Sequence, residues 1–346
     1  MRLSRKILAY GTVCLLFLAM AAGLLAASPS RVLVVINDNS QASKQIGQFY
    51  VSKRNIPAKN VVRLKVIPLE RVSHADFKTK IRDSIARHIS RHNLKIDFIV
   101  TTKGVPLYDD RRYSVDSMLA GMQFGLDTQM KNPYFGKSEP FSSDRFQMYL
   151  VTRLDGYSVE DAKALVTRSL CSRGNRGRIL IDINPYHDTR KGYNEINKDM
   201  RDAVKILRSR NIPLIVDDTD NFVGGHRNLM GYYSWGSNDT RFDKSRYLSL
   251  GFKPGAIAET VVSTSARSFF PQKDGQSQIG DLIRNGVTGV KGYVSEPYGD
   301  SMAQASILFD RYTRGFNLAE SFYMASPFMV WKDVVIGDPL CAPYAK

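Results

Sequence analysis

The sequence predicts an α/β fold of two α/β halves with mainly parallel sheets, and three observations carry that expectation. From residue 31 onward short apolar runs alternate with amphipathic stretches, the alternation restarts after residue 145, and 43% of the 346 residues are hydrophobic while 24% are charged. Such alternation is the pattern of βαβ units. With 25 Gly and 14 Pro the composition excludes fibrous and disordered classes and supports a packed core.

The elements follow in order. Arg2, Arg5 and Lys6 precede an uncharged apolar run over 7–27, so residues 1–28 read as a signal peptide or signal anchor. The positive end stays in the cytoplasm. This predicts an exported protein of the periplasm, cell envelope or extracellular space, touching membrane only through that segment if it stays uncut. The amino-terminal α/β subdomain, 29–145, is expected to hold strands at 31–36, 61–66 and 96–101, with helices at 40–53 and 75–92. In the second helix Phe77, Ile81, Ile85 and Ile89 recur every four residues among Lys and Arg, the mark of one buried face. Residues 103–144 lack periodicity and form an insertion, a place where substrate-facing groups concentrate. The carboxyl-terminal subdomain, 146–346, is expected to run through strands at 147–152, 178–183, 212–216, 257–265, 289–294 and 334–336, with helices between them.

Lys and Arg number 49 against 33 Asp and Glu, a net charge of +16 spread over several segments. The two readings are solvated basic helix faces or an anionic partner of the envelope, such as a glycan; nucleic acid is not expected outside the cytoplasm. Of three cysteines, Cys14 lies in the apolar run, so Cys171 and Cys341 allow at most one bridge and no cysteine-based zinc site.

No phosphate loop, dinucleotide fingerprint, metalloprotease helix or Gly-x-Ser-x-Gly elbow occurs. Asp217, Asp218 and Asp220 follow a strand, where carboxylates either cap a turn or hold a hard cation; calcium is the one cofactor the sequence leaves open. His226 in Gly224-Gly-His-Arg227 is either a general base or a plain loop residue, while His74, His88 and His92 lie on or beside the basic helix. Ser263, Thr264 and Ser265 close an apolar run, and a hydroxyl there is a nucleophile only beside a base. Tyr232, Tyr233 and Trp235 read either as a stacking platform for a sugar or as a strand end.

The segment order resembles gingipain-type cysteine peptidases of the caspase-like fold: Met148-Tyr-Leu-Val-Thr-Arg-Leu-Asp-Gly156 is similar to the entry into their second subdomain, 309–320 to their penultimate helix pair, and Ile336-Gly-Asp-Pro-Leu340 to their closing strand. That resemblance implies a histidine and a cysteine at two successive strand ends. Laying 232–237 on the first puts Trp235 in the histidine's seat, and laying 263–269 on the second puts Thr264 or Ser265 in the cysteine's. An indole donates only, and an alcohol without a base stays protonated, so the cysteine-peptidase mechanism is not available.

A likeness across nearly the whole exported chain rests on Lys103-Gly-Val-Pro106, Ser114-Val-Asp-Ser117, Leu150–Gly156, Gly231–Asn238, Pro254–Glu259, Glu296-Pro-Tyr298 and Gly337-Asp-Pro-Leu340. The chain is similar there to a family of exported bacterial proteins found in exosortase-encoding genomes, which implies work near protein sorting or exopolysaccharide production.

Three readings follow. The first is a non-catalytic, peptidase-derived binding protein, a pseudoenzyme whose cleft recognises a peptide or an anionic glycan of the envelope. The second is a hydrolase or transferase with a rebuilt site, using Ser263 or Ser265 with His226, or Asp116, Asp155 and Glu296 as acid and base. The third is an assembly partner without a small-molecule site. The expected cleft lining is Lys103, Asp116, Arg153, Trp235, Ser265, Arg267 and Glu296.

Overall fold

A computed structural model describes residues 28–125 and 127–346, so the signal segment assigned to 1–28 lies, but for Ser28, outside the described residues. Among the described residues no helix is long and apolar enough to cross a membrane.

Ten strands form one sheet: β1 (Val32–Asn37), β2 (Val61–Leu64), β3 (Phe98–Thr102), β4 (Leu150–Leu154), β5 (Arg178–Ile183), β6 (Leu214–Asp218), β7 (Leu229–Ser234), β8 (Phe252–Thr260), β9 (Gly289–Tyr293) and β10 (Asp333–Gly337). Their order is β2-β1-β3-β4-β10-β9-β8-β7-β5-β6. Every pairing within β2-β1-β3-β4 and within β9-β8-β7-β5-β6 is parallel. The last strand, β10, sits between the two groups and pairs antiparallel with β9, Gly289 opposite Gly337 and Tyr293 opposite Asp333. The two α/β halves therefore share a single sheet, and β4, which opens the second half of the chain, pairs with β3 of the first.

The strands form where the apolar runs lie because both sheet faces are covered. All six residues of Val32–Asn37 are buried, as are all of Leu150–Leu154, which fits a parallel sheet clad by helices on both sides. The helices start on polar caps. The Ser40 hydroxyl accepts from the Ser43 N–H ahead of Gln41–Arg54, and Ser158 with Asp161 and Asn317 with Glu320 form capping boxes. The amphipathic stretch after residue 73 is helical as expected, with a π turn over Phe77–Arg82 before Asp83–Arg91.

The expected strand over 257–265 begins and ends five residues earlier. Val261 and Val262 are buried yet leave the ladder; Val262 packs under the turn at Gly236, so apolarity there records burial in a corner and not strand pairing. The closing Gly337-Asp338 ties the halves together. Burial of the Asp338 carboxylate is matched by the Tyr50 hydroxyl at 2.9 Å and the Arg54 guanidinium at 2.7 Å, both from the first helix. Cys171 is exposed, Cys341 is buried, and both are free thiols.

Candidate ligand sites at the carboxyl edge of the sheet

The carboxyl ends of both halves open onto one edge. Lys103, just past β3, donates to the Phe269 carbonyl in the loop after β8 at 3.1 Å, so loops from the two halves meet there. Open α/β sheets bind ligands along such an edge.

Past β7 stands Trp235, 1% exposed. Its Nε1–H donates to the Asn197 side-chain oxygen at 2.8 Å, and its ring stacks on His187 with centroids 3.8 Å apart. Gly236 follows with φ +51°, and a Cβ there would lie 2.8 Å from Val262, so the turn needs glycine. The His187 Nε2–H reaches the Asn238 carbonyl at 3.1 Å, which makes Nδ1 the lone-pair nitrogen; it is buried without a partner. Burial pushes the His187 pKa below its ordinary value and keeps the ring neutral. Past β8 the Thr264 hydroxyl donates to Gln276 at 2.7 Å. The Ser265 hydroxyl is buried with no hydrogen-bond partner and lies against Gly292, where a Cβ would come within 2.8 Å of it. Among the described residues no imidazole or carboxylate is hydrogen-bonded to Thr264 or Ser265.

The first half presents a different arrangement at the corresponding strand ends. The Lys103 ammonium donates to Asp155 at 3.2 Å, the Gly156 carbonyl at 2.9 Å and the Phe269 carbonyl at 3.1 Å, which uses all three of its N–H bonds. Gly104, at φ +95°, brings this turn against the Ser40 cap. Burial raises the pKa of Asp155 and of Glu70, whose carboxylate accepts from the Phe269 N–H at 2.6 Å. Beneath them Arg153, fully buried, meets Asp116 through two hydrogen bonds of 2.7 and 2.9 Å and donates to the carbonyls of Val105 and Pro106. These groups border a crevice of about 300 Å³ between the ends of β1 and β3.

A larger cavity, about 870 Å³, lies mainly in the second half. The first turns of helix Asn194–Ser209, the loop after β9, and Phe135 and Phe328 form its walls, with Tyr233 of β7 at its base. Four carboxylates line it: Glu195, Asp199, Glu296 and Asp300, with Lys191 as the one cation. Tyr298 is 64% exposed at its mouth and holds φ +66°, ψ 157°, a backbone region that disfavours any side chain.

The residues singled out from sequence do not line one cleft. Lys103 and Arg153 border the crevice, Glu296 the large cavity, while Asp116, Trp235 and Ser265 are buried. Arg267 holds its own loop through the carbonyls of Thr264, Asp274 and Gln276. Tyr232, Tyr233 and Trp235 form no stacking platform, because all three are 1% exposed or less. His226 lines a separate shallow hollow with Arg246 and Ser249. Asp218 is bridged by Arg201, which also holds Asp188, and Asp217 accepts from Thr219. Asp220 is exposed, and among the described residues no group of three or more His, Cys, Asp or Glu is placed to hold a metal ion. His74, beside the basic helix, is held between Asp109 and Asp127 at 3.1 and 3.2 Å.

Asp182, at the end of β5, escaped notice in the sequence. One of its oxygens is buried without a partner, and burial pushes its pKa up to about 8. Folded Asp182 thus keeps a proton that the unfolded chain releases near pH 4 or so, about the ordinary aspartate value. Between those values the folded state binds more protons, so its stability is highest below the unfolded pKa and falls as pH rises through the folded one. Thermal melts from about pH 5 to about pH 8 should show that decline, and Asp182→Asn should flatten it. An unchanged slope in the variant would reject this assignment.

No family model and no curated protein sequence matches the chain. Solved structures do. The Arg-specific cysteine proteinase gingipain R (RgpB) is similar over 92% of this chain and 79% of its own, with a TM-score of 0.53 and 11% identity. The complex of the pro- and mature domains of Porphyromonas gingivalis RgpB gives 0.54 and 11% over 90% of this chain and 79% of that one, and a third structure, titled a protease, gives 0.50 and 11% over 91% and 78%. The likeness is one of fold: a mixed α/β architecture of the gingipain and caspase type around a large, mainly parallel sheet.

Proposed function

We propose that this chain is an exported cell-envelope protein that binds a ligand on a peptidase-type scaffold without cutting it. The observation that carries the reading is the pair of strand ends past β7 and β8: one bears Trp235, packed on His187 and bonded to Asn197, and the other bears Ser265, an enclosed hydroxyl with no hydrogen-bonded base among the described residues. General-base activation of an alcohol needs an acceptor within about 2.6–3.2 Å. The large cavity supports the binding half of the proposal, since a concave site of a few hundred to about 1,000 Å³ with a few polar groups is the usual form of a ligand site. Export, and work beside protein sorting or exopolysaccharide production, follow from the basic and apolar amino terminus and from the resemblance to proteins of exosortase-encoding genomes.

The test is direct. The purified chain, with Ser265→Ala and Thr264→Val variants, is incubated with peptide mixtures and envelope polysaccharides, and products are counted by mass spectrometry. Product formation should match the buffer blank in all three proteins. Cleavage by the parent that Ser265→Ala removes, with the thermal melt unchanged, would replace this reading with a rebuilt hydrolase.

A further inference from the structure

The whole chain is basic, yet the 870 Å³ cavity is acidic. Among the described residues Glu195, Glu296 and Asp300 form no ion pair, although Lys and Arg outnumber Asp and Glu 49 to 33. The Glu296 carboxylate accepts only the Tyr298 N–H, at 3.0 Å, and Asp300 only the neighbouring Ser301 hydroxyl, at 3.4 Å. Asp199, deeper in, is engaged by the hydroxyl and N–H of Ser306. On a chain with surplus cations, these carboxylates are left without an ion-pair partner among the described residues, although Lys191 lines the same cavity.

Aromatic rings are the second feature. Tyr193 and Tyr298, 40% and 64% exposed, line the cavity, and the half-buried Phe135 and Phe328 join them. Exposed ring faces offer apolar contact to the C–H face of a sugar and attract a cation placed over them. Carboxylates accept hydrogen bonds and donate none, so they select hydroxyl and ammonium donors. A peptide could not bind here by adding a strand, since β7, at the base of this cavity, is paired on both sides.

We propose that this cavity binds a cationic glycan, a chain of amino sugars with free amines, whose rings stack on Tyr193 and Tyr298 and whose ammonium and hydroxyl groups meet Glu195, Glu296 and Asp300. The inference rests on the binding reading above and names its ligand class; the sign of the cavity is opposite to the anionic glycan that net charge alone suggests. Asp199 and the strained turn at Tyr298 position the floor and the outer ring.

Isothermal titration of the full chain compares a glucosamine hexasaccharide with its N-acetylated counterpart at a pH that keeps the amines protonated. The free-amine form should bind at least about tenfold more tightly, a difference of roughly 1.4 kcal/mol. Glu296→Gln with Asp300→Asn should weaken it by about tenfold or more, and so should Tyr298→Ala, both on exposed side chains whose replacement leaves the melt unchanged. Equal binding of the two sugars, or binding that neither variant alters, overturns the assignment. So does saturation by oligolysine with the amino sugar silent, which would make the ligand a basic peptide. Absence of amino-sugar binding in a protein that also cuts nothing removes the ligand class alone, while cleavage removes the reading beneath it.

Discussion

Replacing Arg153 with methionine is expected to lower the unfolding free energy by about 3–5 kcal/mol, the cost of breaking a buried ion pair by removing one partner. Arg153 is fully buried, and its guanidinium satisfies Asp116 with two hydrogen bonds, two backbone carbonyls, and the edge of Asp155 at 3.5 Å. Methionine fills much of the volume and none of those acceptors. Asp116 would then keep only the Thr101 hydroxyl, and the Val105 and Pro106 carbonyls would lose their donor, while Asp155 keeps Lys103, so the loss should centre on the 103–144 segment and the packing of helix Val115–Ala120. Adding Asp116→Leu should recover part of the loss, because the orphaned charge goes with it. Urea melts measure all three proteins. An Arg153→Met variant within about 1 kcal/mol of the parent would mean that the pair adds nothing net.

Trp235→Ala is the second large effect, expected to cost about 3–5 kcal/mol through the cavity left by a buried aromatic ring. Trp235→Phe, which keeps a ring over His187 and loses the hydrogen bond to Asn197, should cost much less, on the order of 1–2 kcal/mol. The alanine variant carries a second readout. Removing the indole admits water to His187, whose pKa is held down by burial, so its NMR titration midpoint should move up toward the ordinary histidine value. Neither variant should gain hydrolytic activity, since Ser265 remains enclosed against Gly292. A stable Trp235→Ala protein with an unmoved His187 titration would show that the stack is incidental.

The alternation of runs such as Val32–Asn37 and Arg178–Ile183 with capped helices was readable, because each is a local pattern within about ten residues and burial on both faces leaves it uninterrupted. The place of Trp235, directly past the end of β7, was readable too, while Ser265 lies five residues beyond the end of β8. What those side chains touch was not. A lone His187 in a loop gives no sign that it stacks on Trp235 across the edge, and nothing local shows that Asp116 is buried beneath the crevice, paired with Arg153. Val261 and Val262 misled the strand boundary because an apolar residue under a turn and one in a strand are written alike.

From its sequence alone this chain has its fold class, a mainly parallel α/β architecture, a consequence of periodicity along the chain. Only the tertiary structure decided that the expected cleft divides into a salt-bridged crevice and an acidic, aromatic cavity. That cavity is assembled from Phe135, the start of helix Asn194–Ser209, the loop after β9 and Phe328, segments with no local relation to one another. Its character depends on which carboxylates form no ion pair among the described residues, and pairing is a property of packing in three dimensions.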